Sequence, residues 1–463
     1  VLSHVSQSGN YPLHDDKIVV MALQSNFFAA PGTARFALRN LHAPSCLLPN
    51  PDPAAGALSA IDLLVENGTI AAIERTGTLP ADLGPDLDGS MILPGLLDVH
   101  THLDKGHIWP RKPNRTGDVP GAVHATDEDR VARWTTEDVE RRMTFALDTA
   151  YAHGVVAIRT HLDSMSPQPS ISFPLFCMLR ERWASRIDLQ VSSIVTLDVF
   201  LTEEGVELAD MVARSGGRLG AVTLFRSLPN PARSLHFDRA MIRLFALAEE
   251  RGLDVDLHVD ETADPEVLTL LRIAQLAVDV KFPGNILCGH CCSLALQSDE
   301  RIEETLDACA EAGIAIVSLP TVNMYLQSRS IRTTPRWRGV TLLHEMRARG
   351  LCVAVAGDNA RDPFHAYGDH DMLDTFVQAV KIMHLDHPIA DWISVVTANP
   401  AAIMGLPNRG VLRPGVPADL MLLRARNYSE LLSRRQTDRI ILRAGRAIDT
   451  TLPDYRLLDD LMN

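Results

Sequence analysis

The chain has 463 residues, 46% of them hydrophobic and 22% charged, which suits a globular protein with ample material for a core. Its 44 lysines and arginines stand against 58 aspartates and glutamates, giving a net charge of -14 with no basic block. Nucleic acid and anionic membrane are thereby excluded as expected partners, whereas a homo-oligomer is compatible with this composition.

At the start, VLSHVSQSGNYPLHDD lacks the basic opening and apolar middle of a secretory leader, and Met21 is a candidate internal start. Charge or proline interrupts the apolar runs well before membrane-spanning length. Seven cysteines, an odd number without framework spacing, point to a reducing cytoplasm.

Residues 33–91 carry short alternating runs such as IDLLVENGTIAAI, where Gly68 suits a hairpin turn. Eight apolar, β-branched runs follow at 92–100, 155–163, 188–197, 217–225, 253–261, 285–292, 315–320 and 353–359. Between them lie amphipathic helix patterns such as TEDVERRMTFALDTAYAHG and FDRAMIRLFALAEERG, each closed by glycine. Continuous apolar strands alternating with helices indicate an α/β fold whose parallel sheet is covered on both faces. Eight such units predict a (β/α)8 TIM-like barrel over 92–410, with a doubly wound open sheet as the alternative. The runs PADLMLLRA and DRIILRAGRAI in 411–463 resemble those of 33–91, so both chain ends are expected to build one small β-sandwich domain.

The polar residues fall where the runs end. His100 and His102 close the first, His258 and Glu261 the fifth, His290 the sixth and Asp358 the eighth. In a barrel these ends converge on one mouth, where such folds place their active sites. His100 and His102, two apart, project to the same side of a strand. With His258 and Asp358 they make a plausible divalent-metal set, and imidazoles with an oxygen ligand suit Zn2+ or Fe2+. An open position on such an ion activates water. Glu261, three residues after His258, can reach that water. Lys105 lies past the first strand, so a place at the surface or behind the ligands is expected rather than a metal-bridging role. No lysine occurs between Lys112 and Lys281, which leaves strands three and four without a bridging residue and predicts one metal ion per chain. The CGHCC run at 288–292 has no second pair to complete a structural zinc site, so Cys288, Cys291 and Cys292 are expected to pack.

With LPGLLDVHTHLD, IRTHLDS, DLHVDE, GHCCSLA, TVNMYLQSR and GDNARDPF in place, the sequence resembles the amidohydrolase superfamily in its cytosine deaminase-like branch, from about residue 63 to 423. The resemblance implies that His100, His102, His258 and Asp358 hold one metal ion. It also implies that Glu261 shuttles protons, that His290 hydrogen-bonds the attacking hydroxide, and that Asp358 helps orient it. Three positions depart from that branch: Thr196 stands where a glutamine reads the pyrimidine amide edge, Asn359 where an Asp follows the metal Asp, and Phe364 where a tryptophan is usual. Together with Gln327 these are the expected substrate-binding residues. The resemblance therefore implies hydrolytic deamination of a small amino-substituted N-heterocycle other than cytosine, differently substituted or larger. Cleavage of another C–N bond, in a cyclic amide, s-triazine or creatinine-like compound, is the enzymatic alternative, and a heterocycle-binding barrel without catalysis is the other.

Overall fold

The run at residues 92–100, expected as one strand, is two strands in the structure, a computed structural model that describes residues 28, 33–51, 54–223 and 234–463. Pro94 ends the first and Leu96 begins the second. Proline has no N–H to extend a ladder, and a Cβ on Gly95 would stand 2.1 Å from Val156 Cγ1. The chain therefore passes from one sheet to another at this point. Met21 and the end of the fourth run, residues 224–225, lie outside the described residues.

In chain order the strands are β1 (Arg35–Pro44), β2 (Leu58–Glu66), β3 (Thr69–Arg75), β4 (Asp86–Pro94), β5 (Leu96–Thr101), β6 (Val155–Asp163), β7 (Asp188–Ile194) and β8 (Leu219–Val222). They continue with β9 (Val255–Val259), β10 (Ile286–His290), β11 (Ala315–Ser318), β12 (Val353–Val355), β13 (Leu420–Leu423), β14 (Ile440–Arg443) and β15 (Arg446–Ala447). The segments 33–91 and 411–463 join as expected, in one seven-stranded sheet ordered β15-β14-β13-β4-β1-β2-β3, so the small β-sandwich is seen in part. Leu38, Leu63, Ile92, Leu420 and Leu442 pack in its core. Asn67 and Gly68 both take positive φ between β2 and β3, as a two-residue hairpin of this kind requires.

The eight runs of the middle segment all form strands, in a three-stranded parallel sheet β5-β6-β7 and a five-stranded parallel sheet β12-β11-β10-β9-β8. Parallel bridges Ser192↔Arg218 and Thr196↔Val222 join β7 to β8, and Thr101↔Asp358 joins β5 to the end of β12. Strand alternation then sorts the side chains. On β9, Val255, Leu257 and Val259 enter the apolar core while Asp256 and His258 take the other face. No helix among the described residues is long and apolar enough to cross a membrane.

The helix Thr136–Ala152 starts where the Thr135 hydroxyl accepts from the Asp138 N–H at 3.3 Å, with Glu137 and Asp138 in its first turn. From it the buried Arg142 donates to Asp138 Oδ2 at 2.7 and 2.9 Å. Its remaining nitrogen reaches the carbonyls of Asp104 and Gly106, the latter at 3.1 Å. One guanidinium thus ties this helix to the loop that follows β5. Arg142→Met leaves two carbonyls unpaired, so we expect a loss of about 3 kcal/mol, the scale of breaking one side of a buried ionic pair. Urea unfolding checks this, and a change under about 0.5 kcal/mol would show that the tie contributes little.

Candidate active site

The strand ends bring four donor atoms into one small space. His258 Nε2 lies 3.1 Å from His100 Nε2 and 3.2 Å from His102 Nε2. Asp358 Oδ1 is 3.2 Å from His102 Nε2 and 3.7 Å from His100 Nε2. These four separations are close to the edge of a tetrahedron with metal–ligand bonds of about 2.0–2.1 Å, roughly 3.4 Å.

The electrostatics agree with that reading. Burial holds the imidazoles of His100, His102 and His258 well below the ordinary histidine range, and neighbouring cationic groups lower them further. They are therefore neutral, the form that ligates metals. Burial, then Glu261, pushes the Asp358 carboxyl well up, and neither of its oxygens has a hydrogen-bond partner. A buried carboxylate without a partner beside three neutral imidazoles is costly by itself and well matched to a divalent cation. The donor set fits such an ion.

Backbone strain maintains this arrangement. Asp358 has φ 61° and His290 φ 71°, left-handed values uncommon outside glycine. The Asp358 N–H donates to the His100 carbonyl at 2.9 Å, and the Asp358 carbonyl accepts from the His102 N–H at 3.2 Å. Asp98, buried under the ligands, accepts from the N–H groups of His100 and Gly357 at 3.3 and 3.2 Å. Burial lifts its carboxyl to about 7.

Beside the four donors, Glu261 Oε1 stands 3.6 Å from His290 Nδ1. Asn323 Nδ2 donates to that same nitrogen at 2.9 Å and to Glu261 Oε1 at 3.3 Å. With Nδ1 accepting, the neutral ring carries its proton on Nε2, which has no partner among the protein atoms. Burial takes His290 down to about 3, whereas it lifts Glu261 to about 7, against the opposing pull of Lys105 and Asn323. The neighbouring Asp260 accepts from the Thr269 hydroxyl and from the N–H groups of Thr269 and Leu270 at the start of the helix Thr269–Val280. This anchors the turn that delivers Glu261.

These groups open into a cavity of ≈ 230 Å³. Thr196, Asn359 and Phe364 line it. Gln327 does not: it is buried against Gly339, outside that lining. The Asn359 amide nitrogen commits one of its two donors to Asp362 Oδ2 at 2.7 Å. Lys105, expected at the surface or behind the ligands, lines the cavity and is 4% exposed. Asn323 and His161 were not singled out from the sequence, although both lie in the quoted motifs. The His161 ring is 4.0 Å from that of His100, and its Nε2 is 3.8 Å from Asp256 Oδ1. Cys288, Cys291 and Cys292 are buried free thiols pushed well above their ordinary range by burial, in keeping with a packing role. Replacing one of the four donors should abolish metal retention: His258→Ala is expected to lose most of the divalent ion that the wild-type protein carries, read by elemental analysis. Full metal content in that variant would refute the four-donor site.

Comparisons with known proteins are consistent with this geometry. The Amidohydrolase family model matches residues 199–443. The chain is 47% identical over 441 residues to a pterin deaminase of Rhizobium rhizogenes (strain K84), covering 94% of this chain and 99% of that protein. It is 22% identical over 402 residues to N-isopropylammelide isopropyl amidohydrolase of Pseudomonas sp. (strain ADP), covering 84% and 94%. Among solved structures, 5-methylcytosine deaminase from Klebsiella pneumoniae liganded with 5-fluorocytosine superposes with a TM-score of 0.76 at 24% identity, over 89% of this chain and 97% of that one. That last likeness concerns the fold. The family model and a curated relative 47% identical over nearly the whole chain lead to one assignment: the chain belongs to the amidohydrolase family.

Proposed function

We propose that the amino-substituted heterocycle on which this hydrolytic deaminase acts is a pterin-type 2-amino-4-oxo bicycle, whose 2-amino group leaves as ammonia. The 47% identity to a pterin deaminase, over 94% of the chain, carries this reading. The cavity supports it. Val119, Val123, Met165, Ile194, Val195 and Val222 give apolar walls suited to a flat fused ring, with Phe364 able to stack on it. Thr196 is shorter than the glutamine of cytosine deaminases and offers a single donor proton, leaving room where a pyrimidine amide edge would be gripped.

We read His100, His102, His258 and Asp358 as ligands of one divalent ion per chain, zinc or iron. Such an ion supplies Lewis-acid activation of water. Glu261 accepts the proton of the attacking water and delivers it to a ring nitrogen, a task suited to a carboxyl lifted to about 7. The water oxygen adds to C2, and the C=N electron pair moves onto the ring nitrogen that takes this proton. His290, oriented by Asn323, donates from Nε2 to the incoming oxygen. On collapse Glu261 takes the proton of the new C2 hydroxyl and passes it to the amine, the C2–N bond breaks as the C2=O carbonyl forms, and ammonia leaves. We also read β5 to β12 as a closed (β/α)8 barrel over 92–410, with 33–91 and 411–463 as the second domain; the bridges at both edges of the three-stranded sheet support closure.

The test is ammonia release from pterin, isocytosine, guanine, cytosine and an amino-triazine, with wild type and Glu261→Gln. We expect kcat/KM for pterin of about 10⁴ M⁻¹s⁻¹ or more and for cytosine at least about a hundredfold less. Glu261→Gln should keep its metal and lose about a hundredfold or more in kcat. Cytosine or the triazine as the best substrate would overturn the pterin reading, and near-normal turnover by Glu261→Gln would overturn the proton-transfer role.

A further inference from the structure

Five lysines occur in the chain, and one of them is buried in the cavity wall. Lys105 Nζ lies 3.6 Å from Asp163 Oδ1 and 5.0 Å from the centre of the Phe364 ring. Its backbone is held on both sides, because Arg142 grips the carbonyls of Asp104 and Gly106. An ammonium so placed is costly unless its donors have work to do. Asp163 takes up one direction and at 3.6 Å makes a loose ion pair. Burial draws the ammonium down, but Asp163, Asp104, Asp362 and Asp358 outweigh it and hold Lys105 above its ordinary range, so it stays charged.

Most other polar groups of the wall are otherwise engaged, although the short, buried Thr126 hydroxyl has no partner. Asn359 Nδ2 is bonded to Asp362, and Thr196 brings only a short hydroxyl. Glu261 and His290 are taken up with proton transfer in the proposed reaction. A 2-amino-4-oxo ring brings a carbonyl oxygen that must find a donor once water is excluded. We propose that Lys105 reads the 4-oxo group of the substrate and stabilises the negative charge that reaches it during addition at C2. This deepens the pterin reading and rests on it. When the water oxygen adds at C2, an electron pair moves onto a ring nitrogen; where that nitrogen is conjugated to C4, part of the charge spreads to the 4-oxygen. A fixed cation at that oxygen is worth more in the transition state than in the ground state, which is the condition for raising kcat. It also sets specificity. A 4-amino group presents N–H donors to the ammonium and is rejected.

The experiment compares pterin with 2,4-diaminopteridine as substrates of wild type, Lys105→Met and Lys105→Arg, with metal content measured for each. The selectivity ratio is independent of the fraction of correctly folded protein, so loss of folded enzyme leaves it unmoved. Wild type is expected to favour pterin strongly. Lys105→Met should retain its metal, lose about a hundredfold in kcat on pterin and lose most of that preference, with Lys105→Arg recovering part of both. Lys105→Met with wild-type selectivity would overturn the inference while leaving the pterin reading intact. A wild-type enzyme inactive on every 2-amino-4-oxo ring, yet active on other amino-heterocycles, would overturn the pterin reading and this inference with it.

Discussion

Three neutral imidazole nitrogens and one carboxylate oxygen, buried at a cavity wall with four of their separations between 3.1 and 3.7 Å, form the constraint around which this protein is organised. Lone pairs facing lone pairs repel, so the arrangement persists only because the surrounding backbone leaves it no alternative. Asp358 sits at φ 61°, tied to both flanks of the first histidine pair by main-chain hydrogen bonds. Asp98 fixes the strand ends from below. A cation there would convert this repulsion into attraction, the four donors being delivered from β5, β9 and the segment after β12. Glu261 and His290 arrive on the turns after β9 and at the end of β10, which puts a carboxyl and an imidazole beside the four donors.

Much of this was legible in the sequence because strand periodicity and burial are local signals. All eight middle runs form strands, and the polar residues at their ends meet as expected. The split at Gly95 was hidden because apolar continuity says nothing about which sheet a strand joins; Pro94 was the available sign. Lys105 was misplaced for a related reason. A residue four beyond a strand looks solvent-facing, yet Arg142, 37 positions on in the sequence, folds that loop inwards. Gln327 was drawn from a motif, and the helix end turns it towards Gly339 instead. Asn323, four residues earlier, is the member of that motif that reaches the site.

The loop after β5 joins stability to specificity. Its carbonyls neutralise donors of a buried arginine, and between those carbonyls it presents the ammonium that reads the substrate. Asp104 takes part twice, accepting the Asp163 N–H at 2.8 Å and helping to hold Lys105 charged. The carboxyl itself is lifted to about 7 by burial and by Asp163. Substrate preference in this cavity is thus set by long-range packing as much as by the residues that touch the ring. This explains why strand-end motifs identify the reaction more readily than its substrate.

Hydrolytic deamination puts one oxygen from water onto the carbon that loses its amine. Turnover of pterin in ¹⁸O-labelled water, followed by mass spectrometry of the product and by ammonia assay, tests this most directly. One labelled oxygen in the ring product for each ammonia released is the predicted result. Ammonia released without label in the product, or a labelled product that keeps its amine, would contradict the account.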